Sequence, residues 1–364
     1  MPPRAVRWRR EAHTAAKHEL LRGYLNAWLP IMANSDTDAV LVVDGFAGPG
    51  RHTGGEPGSP LVIVETFLSH ANRAAWTDSK FTFAFIEKEH DRFEALESEL
   101  AALKLPSNAS VQVIEGEIDA EIGELLASIP AGYGLPPSFV FIDPFGWTGY
   151  GLELSSRILG FPKCEVLIYV PLPWIARFVD QAAVSPSLDN LFGDDSWRPA
   201  RRLKDGRSRV AFLHDLFLSK LEAQAGFARS FEISIKGRGW NGYHLFFGTG
   251  HPTGLAKMKY AMWKLDPVAG TRFADSTTPG QLVLLKDAPD LEPLKRLLED
   301  HFGDKPFSIE EAEAFTLIDT PYHPDIHLKK GALKPLELAE RLEGWNRKKA
   351  RTYPTGTILR FKPR

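Results

Sequence analysis

The stretch Leu41–Gly50, LVVDGFAGPG, is an apolar run that closes on an acid, Asp44, and then breaks into a turn of small residues. A short apolar run bounded by turn residues predicts a strand buried on both faces, as in a parallel sheet. A second run, Phe139–Gly146 (FVFIDPFG), closes on Asp143, Pro144, Phe145 and Gly146. Open α/β sheets bind ligands outside the carboxyl ends of their strands. Two such strand ends suit the two sides of one crevice.

Outward from these runs the chain alternates. Residues 12–32 place Leu20, Leu21, Tyr24, Leu25, Trp28 and Leu29 at helical spacing ahead of a strand at 40–44. After the glycine-rich loop, Ser59 and Pro60 read as a cap and a first helical residue, opening a helix over 61–75. Strands follow at 81–89, 111–118, 139–146 and 165–171, with amphipathic helices after the first two. This alternation predicts an α/β fold: a doubly wound, mainly parallel, Rossmann-like sheet. Past Pro171 the Pro-, Asp- and Arg-rich residues 185–209 read as an exposed insertion. FEISIKG and YHLFFGTG read as an antiparallel edge pair, and 254–266 as a helix that closes the domain. With 268–290 as a linker, the expected domains are 1–285 and 291–364.

A chain of 364 residues, 43% hydrophobic and 25% charged, has the composition of a soluble globular protein with room for two domains. Its single cysteine, Cys164, excludes an internal disulfide and a cysteine-built metal centre, and points to a reducing cytoplasm. No apolar run has membrane-spanning length, and the start, MPPRAVRWRREAH, lacks the apolar core of a signal peptide. The net charge of −2 argues against indiscriminate nucleic-acid binding. The basic residues nevertheless cluster: Arg4, Arg7, Arg9 and Arg10, then Arg198, Arg201, Arg202, Lys204, Arg207 and Arg209. From Arg341 onward eight basic residues stand against one acid, Glu343. Local basic surface on a near-neutral chain fits a selective polyanion reader; solvated arginine faces are the plainer account.

The loop after the first strand follows the pattern D-x-F-x-G-x-G, from Asp44 through Phe46 to Gly48 and Gly50. Residues without a Cβ let backbone turn sharply and approach a ligand closely. The next strand ends at Glu87, an acid able to accept ribose hydroxyls, and the third supplies Glu115 and Glu117. Of these two, Glu117 is the expected adenine contact. A phosphate cradle is the alternative, but no P-loop lysine is present and only Arg51 and His52 lie near as cations. The glycine spacing also departs from the dinucleotide fingerprint. S-adenosylmethionine (SAM) is the expected cofactor.

Methyl transfer to an exocyclic amine needs the nitrogen held in line and its hydrogen bonds accepted. Asp143 and the Pro144 carbonyl can accept them, Phe145 or Trp147 can stack on a base, and Gly146 leaves it room. Asp143-Pro144-Phe145-Gly146 is thus similar to the D-P-P-[YF] lip of adenine and cytosine amino-methyltransferases and to the DPFG of tRNA guanine N2-dimethyltransferases. Carbon-5 methylation needs a cysteine nucleophile, and Cys164, at the start of a strand, reads as a buried small residue. His323, Asp325 and His327 have loose metal-ligand spacing but no third strong ligand, so no metal is expected.

KHELLRGYLNAWLP (17–30), DGFAGPG (44–50) with GEPGSP (55–60), FIDPFGWTG (141–149) and TGTILRFK (355–362) together resemble the three-Cys-motif partner protein family, TcmP. The resemblance runs nearly end to end. It implies a class I SAM-dependent methyltransferase core and association with a radical-SAM-like three-Cys-motif protein. In methyltransferases with a lysine ahead of the first strand, that lysine lies near the cofactor; Lys17 and His18 occupy that place here. The tail, PFSIEEAEAFTLIDT followed by HLKKGALKPLELAERLEGW and TGTILRFK, has the order of a winged helix, with Lys329, Lys330 and Lys334 placed to meet phosphates. The expected activity is amino-methylation of a base in RNA or DNA. The alternative is a catalytically silent adaptor or nucleic-acid-binding subunit.

Overall fold

The fold is a computed structural model that describes residues 5–234, 242–274 and 289–363. Arg4, the end of FEISIKG and most of the 268–290 linker lie outside them. The chain divides into two compact units: among the described residues the first holds those up to Gly254 together with Phe273 and Ala274, and the second the rest from Leu255.

In the first unit α1 (Ala12–Ala33) leads into β1 (Ala39–Asp44), α2 (Ser59–Leu68), β2 (Lys80–Glu87), α3 (His90–Ala101), β3 (Ala109–Glu115) and α4 (Ile118–Ser128). There follow β4 (Ser138–Ile142), α5 (Leu152–Leu159), β5 (Cys164–Val170), α6 (Leu172–Phe178), α7 (Ser185–Phe192), α8 (Gly206–Ala225), β6 (Phe227–Ser234) and β7 (Gly242–Thr249). Then come α9 (Pro252–Leu265) and a short β8 (Arg272–Ala274). One sheet runs β3-β2-β1-β4-β5-β7-β6-β8. The five strands from β3 to β5 are parallel; β7 runs antiparallel to β5, and β6 antiparallel to β7. This is the expected doubly wound, mainly parallel Rossmann-like sheet.

Burial follows position in the sheet. All of β4 and β5 is buried, and so is β1 after its first residue, which is why these strands read as unbroken apolar runs. At the edge, β3 alternates between partly buried and exposed residues. On α1, Tyr24 and Trp28 are buried and set their rings against Phe139, at 5.3 and 6.0 Å. Such aromatic pairs add about 0.5–1.5 kcal/mol each beyond the area they bury.

Two expectations need correction here. Gly58, not Ser59, caps α2, and the helix opens with Ser59 and ends at Leu68 rather than near 75. Residues 185–209 are not an exposed insertion. Leu188, Leu191, Phe192, Trp197 and Ala200 are buried in the core of the first unit. The arginines there are used internally: Arg201 donates to the Val179 carbonyl and lies 4.7 Å from the Trp197 ring, while Arg209 pairs with Asp180 at 2.8 Å.

Beneath the sheet, Glu165 of β5 accepts hydrogen bonds from Tyr24 and, at 2.6 Å, from Thr249. Burial nonetheless raises its pKa from 4.5 to about 7. A raised carboxyl pKa makes the folded state hold a proton the unfolded chain has lost. The stability this group contributes is therefore fully present below about pH 4.5 and is lost as pH rises through 7. The uncharged, near-isosteric Glu165→Gln should reduce that decline by roughly 2–3 kcal/mol. Urea midpoints of both proteins at acid and at alkaline pH measure it; an unreduced decline in the variant would assign the pH effect to other groups.

The second unit contains α9, then α10 (Glu292–Phe302), β9 (Phe307–Ser308), α11 (Ile309–Ile318), a π-helical segment (Pro324–Leu333), α12 (Lys334–Leu338), β10 (Leu342–Trp345) and β11 (Ile358–Phe361). The last strand lies between β9 and β10, antiparallel to both. A capping box between Ser308 and Glu311 starts α11, and Leu294, Leu298, Leu328, Leu333 and Leu359 lie at the centre of the core. Helix α9, expected to close the first domain, thus packs with the C-terminal elements.

Candidate active site

The sheet order reverses between β1 and β4, and the candidate site is built at the carboxyl ends of these two strands. Gly48 and Gly50 in the loop after β1 have φ of +65° and +80°, a region that side chains strain to enter. Acids hold this loop from below. Asp44 is fully buried; its Oδ1 accepts from the Phe46 N–H at 3.1 Å, while Oδ2 makes no well-formed hydrogen bond. Burial raises its pKa to about 7 against the opposing pull of the Ser59 hydroxyl and the Phe46 N–H. Glu87 accepts from the Gly48 N–H at 2.8 Å and the Glu89 N–H at 2.9 Å.

Two cavities meet above this loop. The larger, of about 640 Å³, is lined by Lys17, His18, Phe46, Gly48, Gly50, His52, Asp143 and several aromatic rings. The smaller, of about 500 Å³, is lined by Glu87, Lys88, Arg92, Gly116, Glu117 and Ile118. Phe46, Pro144, Phe145 and Gly146 border both. A ligand reaching from one cavity to the other would pass between the first loop and the Asp143–Gly146 lip.

Of the site residues expected from sequence, Asp44 stands apart. It lies beneath the loop and borders neither cavity. Its place is to shape the backbone from below, and the sequence pattern cannot tell an acid under a loop from one above it. Glu117 borders the smaller cavity, exposed and paired with Lys88 at 2.5 Å. Glu115 borders neither cavity and pairs with His90 at 3.1 Å. Arg51, beside the glycine loop, is also engaged, donating to Glu99 at 2.9 Å and to the Gly55 carbonyl at 3.0 Å.

At the lip, Lys17 of α1 sets its Nζ 2.8 and 2.6 Å from the two oxygens of Asp143. Both side chains are largely buried, and Nζ also lies 4.7 Å from the Tyr169 ring. Two of the three ammonium donors are thus directed at Asp143. Beside this pair, a Cβ on Gly146 would meet nothing within 4 Å, so the lip is open there. Phe145 is exposed. Trp8 approaches it edge-on at 4.7 Å, and the Arg92 guanidinium lies within 5.2 and 5.4 Å of the two rings.

The sequence reading missed most of the aromatic wall. Trp8, Tyr169, Trp174, Phe178 and Tyr243 line the larger cavity with Trp147. They come from an N-terminal segment, the end of β5, helix α6 and the inner antiparallel strand β7.

Elsewhere the expected residues have structural partners. The Cys164 thiol is buried, and burial pushes it up to about 11, which leaves it a poor nucleophile. His327 accepts from the His323 N–H at 2.9 Å and His323 from the Asp325 N–H at 3.2 Å, so both rings serve their own turn. Lys329 pairs with Glu313 at 2.7 Å, whereas Lys330 and Lys334 are exposed. No helix among the described residues is long and apolar enough to cross a membrane.

No family model and no curated protein matches the chain. Solved structures similar to it include an O-methyltransferase from Bacillus cereus in complex with SAH, at 11% identity over 66% of this chain and 84% of that one, TM-score 0.35. Trm1 from Pyrococcus horikoshii with S-adenosyl-L-methionine is 11% identical over 73% of this chain and 62% of its own, TM-score 0.34. The O-methyltransferase TomG from Streptomyces achromogenes, involved in tomaymycin synthesis and in complex with SAM, is 15% identical over 67% and 92%, TM-score 0.33.

Proposed function

We propose that the protein is a SAM-dependent methyltransferase that acts on an exocyclic amino group of a nucleic-acid base. The observation that carries this reading is the pair of cavities meeting at Phe46 and Pro144–Gly146. The smaller has the acids suited to a nucleoside, with Glu87 at the strand end where ribose hydroxyls are bound in such folds. The larger has the lip and an aromatic wall on which a flat base can stack. A cofactor lying across both would put its methionine portion above the Gly48–Gly50 turn and its methyl group beside Asp143. The engagement of Arg51 by Glu99 and the Gly55 carbonyl favours a cofactor without phosphates.

When bound, SAM supplies an electrophilic methyl group. The chain's own residues orient the acceptor: Asp143, held by Lys17, and the Pro144 carbonyl accept hydrogen bonds from the target amine, while Phe145 and Trp147 flank the base. Incubation with methyl-labelled SAM and separated cellular RNA and DNA, followed by mass spectrometry of the digested nucleosides, tests the reading. A methyl group on ring carbon or ribose oxygen would refute amino transfer. The TcmP resemblance adds the proposal of a radical-SAM-like partner carrying three cysteines. The silent-adaptor reading becomes the better one if folded protein binds the cofactor analogue SAH and transfers nothing.

For the tail we keep the winged-helix reading, supported by the order of elements from α10 to β11. Arg347 does not face outward. Its side chain is 5% exposed and bonds Glu337 at 2.5 and 2.9 Å. Lys348, Lys349 and Arg351 are exposed in the turn that follows β10. Neutralising these three should flatten the dependence of log affinity on log salt by nearly one unit per lost phosphate contact, with SAM affinity unchanged. Filter-binding titrations across salt check this; an unaltered slope makes the tail a structural cap.

A further inference from the structure

Arg92 carries a buried positive charge that the fold leaves without an anion. It sits in the first turn of α3 and is 7% exposed. Among the described residues its guanidinium meets the rings of Trp8 and Phe145, at 5.2 and 5.4 Å, and forms no hydrogen bond or ion pair. Its nitrogens are not sealed from solvent, and the side chain lines the smaller cavity with Pro144, Phe145 and Gly146. An arginine buried to this degree is almost always paired, because a desolvated charge without a partner is destabilising. Aromatic rings offset part of that penalty but leave the five N–H donors unused.

Neither the cavity nor the cofactor supplies the missing anion. Of the acids on the same wall, Glu117 pairs with Lys88, and Glu87 accepts from the Gly48 and Glu89 N–H groups. The adenosine half of the cofactor is uncharged, and its carboxylate belongs with the methionine portion above the Gly48–Gly50 turn. The surroundings of Arg92 suit a nucleotide instead. Phe145, 68% exposed, offers a ring to a base, and Arg9, also exposed, lines the larger cavity beside Trp8. Cations interleaved with open aromatic rings bind single nucleic-acid strands, the rings taking bases and the cations phosphates. The planar guanidinium fork matches two phosphate oxygens at once.

Resting on the methyltransferase reading, we infer that Arg92 is a specificity-determining residue that binds the phosphate next to the target base while that base stacks on Phe145. The acceptor is then a nucleotide unit, because a free base or an uncharged small molecule leaves the guanidinium without a partner.

Two variants test this. Arg92→Met removes the donors and keeps much of the bulk; Arg92→Lys keeps the charge without the fork. With SAH bound, calorimetry compares adenosine, guanosine and cytidine with their 5′-monophosphates. For at least one base, wild type should bind the monophosphate about tenfold or more tightly than the nucleoside, the scale of a hydrogen-bonded charge. In Arg92→Met that preference should fall to within about twofold, and Arg92→Lys should keep about threefold of it. Both variants should bind SAH within about threefold of wild type, since the cofactor brings Arg92 no anion. In labelled-SAM assays on cellular RNA and DNA, Arg92→Met should raise KM about tenfold and leave kcat within about threefold, as for a contact made equally in ground and transition states.

An unchanged phosphate preference in Arg92→Met overturns the inference, and so does no preference, or no binding, in wild type. A loss of SAH affinity of about tenfold in Arg92→Met also overturns it, since the guanidinium then serves the cofactor's carboxylate. The two readings fail separately. A wild type that prefers the monophosphate through Arg92 yet transfers no methyl group keeps the phosphate site and sinks amino-methylation. Transfer to a base without any phosphate preference does the reverse.

Discussion

Asp143→Ala should bind SAH nearly as the wild type does and transfer methyl groups about 10²-fold more slowly or worse, the loss seen when a positioned polar group that acts mainly in the transition state is removed. The lip has a second consequence. Lys17 is 9% exposed at its side chain and directs two donors at Asp143. Removing the acid strands a mostly buried ammonium, which costs about 3–5 kcal/mol of stability. Asp143→Asn keeps an acceptor beside Lys17 and should fold better while still losing transfer. Lys17→Met combined with Asp143→Ala should recover much of the lost stability and none of the activity. Denaturation midpoints and labelled-SAM turnover of the three variants separate the two roles. Full activity in Asp143→Ala refutes the lip.

Glu87→Ala should weaken SAM by about 1.5–3 kcal/mol, the scale of lost hydrogen bonds to a charged group. Wild type should bind in the micromolar range or tighter, near about −8 kcal/mol. Two effects combine in the variant. Glu87 borders the smaller cavity, where it would accept the ribose hydroxyls, and it also holds the Gly48 N–H from within. Glu87→Gln keeps one acceptor oxygen for the loop but loses the charge, so it should weaken SAM by less than alanine does. Calorimetry on the three proteins checks the ranking. Failure of well-folded wild type to bind SAM, with and without any partner, removes the cofactor assignment.

The sheet was legible because its inner strands carry their environment in their composition. AVLVVD, SFVFI and CEVLIYV are buried on both faces, and a continuous apolar run has few other places to go. Residues 185–209 misled for the converse reason. Prolines, aspartates and arginines dominate their composition, while Leu188, Leu191, Phe192 and Trp197 among them are buried. Direction was harder to read than position. Asp44 and Glu87 both end strands, yet one lies below the loop and the other borders a cavity. Arg347 and Lys348 are neighbours, and only Arg347 turns inward to an acid. The aromatic wall was least legible, because Trp8, Trp147, Trp174 and Tyr243 meet only once the chain has folded.

Lys259 bears on where the chain can be divided. This lysine of α9 is 2% exposed and donates to the carbonyls of Thr316, Leu317 and Thr320, at 3.1, 2.8 and 2.8 Å. One turn on, Trp263 donates to the Pro321 carbonyl at 2.9 Å and lies 4.1 Å from the His327 ring. Truncation at residue 285, where composition suggests a boundary, would leave α9 with an apolar face uncovered and an ammonium lacking all three acceptors. Such a fragment should aggregate through that helix whatever the soundness of the sheet before it. A cut ahead of Pro252 keeps the lysine with its carbonyls but parts β8 from the sheet it joins, so neither cut leaves both units whole.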